Sequence, residues 1–233
     1  MPPLTVTLVT RNESANIAAA LETVAWADEI VVVDAESTDD TVAIARRFTE
    51  RVFVRTWPGY VAQKNFAAEQ ASHDWILSLD ADERVTPALA DEIRNVLQAV
   101  PSEDGFRVPR ASFYLGRWLR STDWYPDFQL RLYDRRRARW EGRYVHESVR
   151  ADGPVGKLRG ELLHYPYRDI AHHVQTIDRY TTLAARQAAE RGKRASIVDV
   201  VVRPPLAFLR NYLLRLGIKD GEAGLVASLL NSY

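Results

Sequence analysis

Asp80 and Asp82 alternate in Ser78-Leu79-Asp80-Ala81-Asp82-Glu83, directly after the apolar run Trp75-Ile76-Leu77-Ser78-Leu79. A buried strand that ends in carboxylates delivers them to the carboxyl edge of a sheet, where parallel α/β folds place ligands. A turn there can aim both acids at one hard cation. Mg²⁺ or Mn²⁺ is commonly shared between a few carboxylates and the phosphates of a substrate. The plainer reading is an acidic turn that caps the next helix. A second cluster, Asp34-Ala35-Glu36-Ser37-Thr38-Asp39, follows the run Ile30-Val31-Val32-Val33. Asp34 there could accept from the imide N–H of a uracil or from a ribose hydroxyl, while Ser37 or Asp39 caps the following helix. A third, Thr10-Arg11-Asn12-Glu13, closes the first apolar run. Three polar strand ends on one edge are more specific than any one of them.

The elements that must position these groups are readable from periodicity. Strands are expected at Leu4–Thr10, Glu29–Asp34, Val52–Val54 and Trp75–Leu79. The β-branched run at 30–33 is typical of a strand covered on both faces. Helical patterns fall between them, at 16–26, 41–48 and 60–70, and a further helix is expected over 87–100 with Pro87 in its first turn. Alternating strands and helices imply a parallel α/β sheet with right-handed crossovers. After Pro101 the chain becomes rich in Arg, Trp and Tyr, with strand-like pieces at 105–109 and 128–133. A helix is expected over 169–191, and a last segment after Pro204-Pro205.

Composition narrows the class. The chain has 233 residues, 46% hydrophobic and 27% charged, which fits a packed globular protein and excludes disorder. The 31 basic and 31 acidic residues cancel overall but not locally. Residues 1–104 carry 8 basic and 18 acidic residues, and 105–233 carry 23 and 13, a split of −10 and +10. A protein that coats nucleic acid is therefore not expected, whereas the basic half suits an anionic partner. With no cysteine, disulfides, thiolate metal sites and a cysteine nucleophile are excluded. The N-terminus has no basic n-region, and no apolar stretch is long enough to span a bilayer, so neither signal peptide nor transmembrane segment is expected.

The segments "TLVTRNESANI", "DEIVVVDAESTDDT", "QKNFA" and "WILSLDADE" resemble successive motifs of the inverting family 2 glycosyltransferases with the GT-A fold. "YPDFQLRLYDR", "ARWEGRYVHESV", "LLHYPYRDIAHHVQTIDRYTTLAA" and "GIKDGEAGLVASLL" are similar to a bacterial subgroup whose members include lipopolysaccharide core β-1,4-glucosyltransferases. The resemblance implies a Rossmann-like, mostly parallel central sheet with a helical C-terminal extension. It divides the chain into a glycosyltransferase domain at 1–165 (donor half 1–104, acceptor half 105–165) and an extension at 166–233. Thr10, Asn12, Glu13, Asp34 and Lys64 would line the nucleotide-sugar pocket. Asp80 would lie near ribose and metal, and Asp82 would be the direct ligand of Mg²⁺ or Mn²⁺.

An inverting transfer also needs one general base for the acceptor hydroxyl. Two acids compete: Asp127, preceding a Leu–Arg strand, and Glu147, in Val145-His146-Glu147. Asp127 is favoured, although Pro126 stands where the family usually has a second acid. The plain reading of either is an ion pair with a neighbouring arginine. Trp124, Gln129, Arg131 and His146 are candidates for holding acceptor or diphosphate, and Trp124, Tyr125 and Trp140 for stacking on sugar rings. Arg135-Arg136-Arg137 reads as a solvated face or as a contact for acceptor phosphates.

The run from Pro205 to Gly217 is apolar and interrupted by arginines, which reads as a membrane-surface helix or as a segment docked on the main domain or on a partner subunit. The lipid-linked acceptors of the resembling family favour the membrane. Together these expectations describe an inverting hexosyltransferase at the inner face of the cytoplasmic membrane. It would move glucose from UDP-glucose to a heptose of the lipopolysaccharide inner core. The alternatives are another donor sugar, another lipid or protein acceptor, or a nucleotide-binding membrane scaffold without catalysis.

Overall fold

The computed structural model describes residues 2–142, 147–194 and 196–232. In chain order the elements are β1 Leu4–Thr10, α1 Ile17–Glu22, β2 Glu29–Asp34, α2 Thr41–Ala45, β3 Val52–Val54, α3 Tyr60–Glu69, β4 Trp75–Asp80, β5 Glu83–Val85 and α4 Pro87–Gln98. There follow β6 Gly105–Tyr114, β7 Arg117–Trp118, β8 Asp127–Asp134, β9 Ala138–Glu141, β10 Ser148–Ala151, β11 Val155–Lys157 and β12 Leu162–His164. Three longer helices close the chain: α5 Ile170–Glu190, α6 Ile197–Leu209 and α7 Gly221–Ser232. Two compact units result, one from residues 1–109 and 128–163, the other from 110–127 and 164–233.

In the first unit the sheet order is β3-β2-β1-β4-β8-β6-β12-β5. The four strands read from the first apolar runs are parallel neighbours. Beyond β4 the sheet becomes mixed, because β8 pairs with it antiparallel. Side-chain alternation explains the two covered faces. Leu4, Val6 and Leu8 of β1 and Leu77 and Leu79 of β4 pack with Leu21, Leu89, Ile93 and Leu97 on one side. On the other, Val31 and Val33 pack against Ala67 of α3, and Ile76 against Tyr133 and Trp140. Helix α4 starts as its sequence directs: Pro87 opens it and the Thr86 hydroxyl accepts the Leu89 amide at 3.2 Å.

Arg135-Arg136-Arg137 is tied down at the edge where β4 begins. Arg135 donates to the carbonyls of Ala68 and Ala71, Arg136 pairs with Asp134 and Asp74, and Arg137 with Asp104. Arg136 and Arg137 remain exposed, so the run is a solvated face held by ion pairs, and it lies at the strand edge opposite the polar strand ends.

The second unit is mainly helical. Tyr114, Trp124, Tyr167 and His173 form an aromatic cluster, in which the Tyr167 and His173 rings stack at 4.0 Å. Asp220 accepts the Arg120 amide at 3.0 Å and the Ser121 hydroxyl. Gly224 packs so tightly that an added Cβ would stand 1.9 Å from the Gly217 carbonyl oxygen. Pro204-Pro205 was expected to open a new segment, yet α6 runs through both. The helix is started well upstream by a capping box between Ser196 and Asp199, and it packs against α7. That support outweighs the two missing amide donors. The chain then widens into a π turn over 210–214, closed by the Arg215 amide on the Arg210 carbonyl at 2.8 Å.

Candidate functional site

The parallel register finishes the strands level, with Thr10 beside Asp34 and Val9 beside Asp80. All the polar strand ends of the first unit therefore share one edge. Its loops are bound to each other as well as to the helices they precede. Asn12 donates its amide to the Ser37 hydroxyl at 2.7 Å, and its side-chain oxygen accepts the Thr38 amide at 2.8 Å. The Glu13 amide donates to the Thr41 hydroxyl at 2.8 Å, and the Ser14 amide to Asp39 at 3.1 Å. Two residues here, Asn12 and Glu36, hold left-handed backbone at φ 54° and 56°. For glutamate that conformation is strained, and strain of this kind gathers at functional loops.

Of the two expected caps of α2, Ser37 makes no bond to the helix, whereas Asp39 accepts the amide of Thr41, the helix's first residue, at 3.1 Å. The N-cap is Asp40, without a side-chain bond. Ser37 instead gives its amide, at 2.8 Å, and its hydroxyl to the Asp34 carboxylate, which is fully buried. Asp39 accepts from Ser14 and from Thr41. Desolvation pushes its carboxyl upward, but those hydrogen bonds outweigh it and hold the group at about 2. Thr10 is only 5% exposed, and its hydroxyl has no hydrogen-bond partner among the described residues.

Asp80 is the centre of a charged cluster. Its Oδ1 meets Lys64 Nζ at 2.9 Å and its Oδ2 meets Arg131 Nη2 at 2.7 Å. Arg131 also donates to Glu83 Oε1 at 2.6 Å, and Glu83 Oε2 accepts the Asp80 amide at 3.0 Å. Helix α3 supplies Lys64 because a crossover helix runs antiparallel to the strands, so its first turns lie at their carboxyl ends. Arg131 arrives from β8, on the same face as Tyr133. Burial works against charge on Asp80, but Lys64 and Arg131 overcome it and hold the carboxyl far below its ordinary value. Arg131, opposed by burial and favoured by Glu83 and Asp80, is held correspondingly high. Beneath both cations lies the Trp140 ring, 4.2 Å from Lys64 Nζ and 5.8 Å from the Arg131 guanidinium. Asn65 pins that ring's backbone, accepting the Trp140 amide at 3.0 Å and donating to its carbonyl at 2.9 Å. Trp140 is thus a buried wall under the cluster, not a sugar platform.

The acids suit a hard cation. Glu13 is shifted upward, chiefly by burial; a hydrogen bond from Asn16 opposes this, and the nearby carboxylates of Asp82 and Asp39 reinforce it. Negative charge therefore gathers around Glu13. Among the described residues no three acids or histidines close into a metal cage. One or two carboxylates completed by substrate phosphates is the usual arrangement for Mg²⁺. Both oxygens of Asp80 already hold cationic side chains.

A protein-family model described as Glycosyl transferase family 2 matches residues 5–149. The chain belongs to glycosyl transferase family 2. Among curated relatives, it is 32% identical to a Rhizobium meliloti lipopolysaccharide core biosynthesis glycosyltransferase, LpsC, over 97% of this chain and 87% of that protein. It is also 30% identical to an uncharacterized glycosyltransferase of Rickettsia prowazekii, over 100% of this chain and 84% of the relative. Among solved structures, residues 1–349 of S. aureus TarS in complex with UDP-GlcNAc align with a TM-score of 0.56 at 14% identity, covering 99% of this chain and 90% of that one. That likeness is one of fold, the GT-A type of α/β architecture.

The remaining family 2 candidates divide between the units. In the first, Gln129 and Arg131 lie on β8, and Glu147 is half-buried with Oε2 lacking a hydrogen-bond partner among the described residues. His146 lies outside the described residues. In the second, one oxygen of Asp127 accepts Arg110 Nε at 2.9 Å and Nη2 at 2.6 Å, the arginine pair that its surroundings suggested. Trp124 packs into the aromatic cluster, and Tyr125 lies under the Arg120 guanidinium at 4.8 Å. Sequence reasoning missed Glu83, Asn65 and Arg110. Glu83 and Asn65 stood inside quoted motifs, whereas nothing local marked Arg110.

Proposed function

We propose that this family 2 enzyme is an inverting, metal-dependent hexosyltransferase that moves glucose from UDP-glucose to a heptose of the lipopolysaccharide inner core. It would work peripherally at the inner face of the cytoplasmic membrane. The observation that carries the reading is the Lys64–Asp80–Arg131 cluster, set beside Asp82 at the carboxyl edge of the parallel strands. The lipopolysaccharide role of the Rhizobium relative supports the acceptor.

Each group then has a task. Thr10, Asn12, Glu13 and Asp34 line the nucleoside end, where the Thr10 hydroxyl is left over for a ligand. Lys64 and Arg131 are the cations for the diphosphate, with Asp80 keeping both in place. Gln129, Trp124 and His146 are assigned to acceptor or diphosphate. A divalent cation on Asp82, assisted by Asp80, would stabilise the charge that develops on the departing β-phosphate oxygen. Asp127 takes the proton of the acceptor hydroxyl as that oxygen attacks the anomeric carbon and the bond to UDP breaks. Glu147 is the second candidate, favoured by its buried, unpartnered oxygen. The test is a panel of UDP-sugars scored for hydrolysis and for transfer to purified inner-core acceptor. Turnover confined to UDP-glucose and a heptose-bearing acceptor is expected, and turnover of another pair instead would refute the reading.

A further inference from the structure

Exposed apolar surface is concentrated in one stretch of the second unit. Of the twenty large hydrophobic side chains exposed among the described residues, eleven lie between Ile197 and Ile218. Helix α6 buries none of its own residues. Side chains step about 100° around a helix. On that spacing Ile197, Val198, Val201, Val202, Leu206 and Leu209 share one half of the circumference, and Asp199, Arg203 and Arg210 share the other. A core helix turns its apolar half inward; this one turns it to solvent. The apolar surface continues through Leu213, Leu214, Leu216 and Ile218, which are 50%, 81%, 46% and 54% exposed.

The charge around this surface is predominantly positive. Residues 191–219 carry seven Arg and Lys against a single acid, Asp199. Asp199 is itself occupied, by Ser196 and by Arg203 at 2.8 Å. Beside Leu214 and Leu216 opens a cavity of about 390 Å³ whose wall carries Arg120, Arg215 and Lys219. Two residues of that wall, Thr122 and Leu216, hold left-handed backbone at φ 62° and 60°. The carboxylates nearby are engaged: Asp123 with Arg210 and Arg215, and Asp220 with the Arg120 amide and Ser121.

We propose that the apolar half of α6 and the turn Leu213–Ile218 lie in the interface of an anionic phospholipid bilayer, with the lipid phosphates drawn to the cationic rim at Lys219. An apolar face gives insertion, and a cationic rim selects anionic headgroups. A second copy of the chain fits less well, since a twofold contact would press the cationic rim against itself. This assignment rests on the glycolipid-acceptor reading for its setting only; the surface stands on its own geometry.

The test is flotation of the full chain with vesicles of phosphatidylcholine, with and without phosphatidylglycerol. Salt-reversible binding to the anionic vesicles is expected. The double variant Val201→Asp, Leu209→Asp should lower binding at least about tenfold, and Lys219→Glu should weaken binding to the anionic vesicles alone. These exposed positions contribute nothing to the core, so circular dichroism and UDP binding should stay unchanged. Failure of the full chain to float, undiminished binding of the double variant, or a solution dimer that this variant dissociates would each overturn the proposal. UDP-glucose hydrolysis is read in the same samples. Hydrolysis without flotation sinks the membrane surface and the peripheral location but leaves the donor reading standing, and flotation without hydrolysis sinks the donor reading alone.

Discussion

Glu83 grips Arg131 through a 2.6 Å ion pair, with the carboxylate fully buried and the guanidinium side chain 4% exposed. The same carboxylate accepts the Asp80 amide, so one residue sets both the cation and the strand end that it faces. Glu83→Gln would leave Arg131 with a single anionic partner. Removing one member of a buried pair is costly, and a loss of about 3 kcal/mol is expected. Urea unfolding checks the stability. A raised KM for the donor, out of proportion to any change in kcat, would show that Arg131 has been released from its place.

Asp82→Asn should behave differently. Its carboxylate opposes the like charge of Glu13, so the fold should be unharmed. Transfer should fall about 10²-fold or more, the loss typical of one preorganised electrostatic group. Calorimetry with UDP, with and without Mn²⁺, gives a readout independent of turnover. Metal should tighten UDP binding to the parent and not to the variant. A folded variant with near-normal turnover would remove Asp82 from the metal site.

The parallel half of the sheet was legible because its signals are local. The apolar runs at Leu4–Thr10, Glu29–Asp34 and Trp75–Leu79 each end in polar residues, and the strands begin and end close to those limits. What stayed hidden depends on pairing between distant segments. Antiparallel β8 brings Arg131 to Asp80 across 51 positions of sequence, and Asn65 meets Trp140 across 75. Trp140 stood open between sugar platform and core packing because a tryptophan's burial is not written in its neighbours; the structure takes the second. Pro204-Pro205 looked like a boundary because proline is a strong local signal. The capping box at Ser196 and the packing on α7 overrule it.

The two candidate bases separate by substitution. Asp127→Asn should retain UDP binding and lose transfer by about 10²- to 10⁴-fold, the contribution of a positioned base. Glu147→Gln should stay within about tenfold of the parent, since removing a group that takes no proton leaves that contribution untouched. Arg110→Ala offers a control, because it frees Asp127 from the 2.6 Å ion pair without removing the carboxylate. A pH–rate profile for each protein completes the comparison. If Glu147→Gln proves the dead variant and Asp127→Asn the active one, the roles are exchanged.

His173 makes the second unit sensitive to mild acid. The residue is 1% exposed and its Nδ1 lies 2.8 Å from the Tyr114 hydroxyl. Burial, with a smaller contribution from the charge of His172, lowers it from 6.5 to about 4. The unfolded chain takes up its proton near pH 6.5, whereas the folded chain does so only near 4. Between those values the unfolded state binds more protons, so stability falls as the pH falls through this window and levels off below it. The full effect of such a shift is about 3 kcal/mol. Urea midpoints measured from pH 7 to pH 4 should fall more steeply for the parent than for His173→Gln, which has nothing to titrate at that position. Parallel slopes for the two proteins would show that His173 does not drive the acid sensitivity.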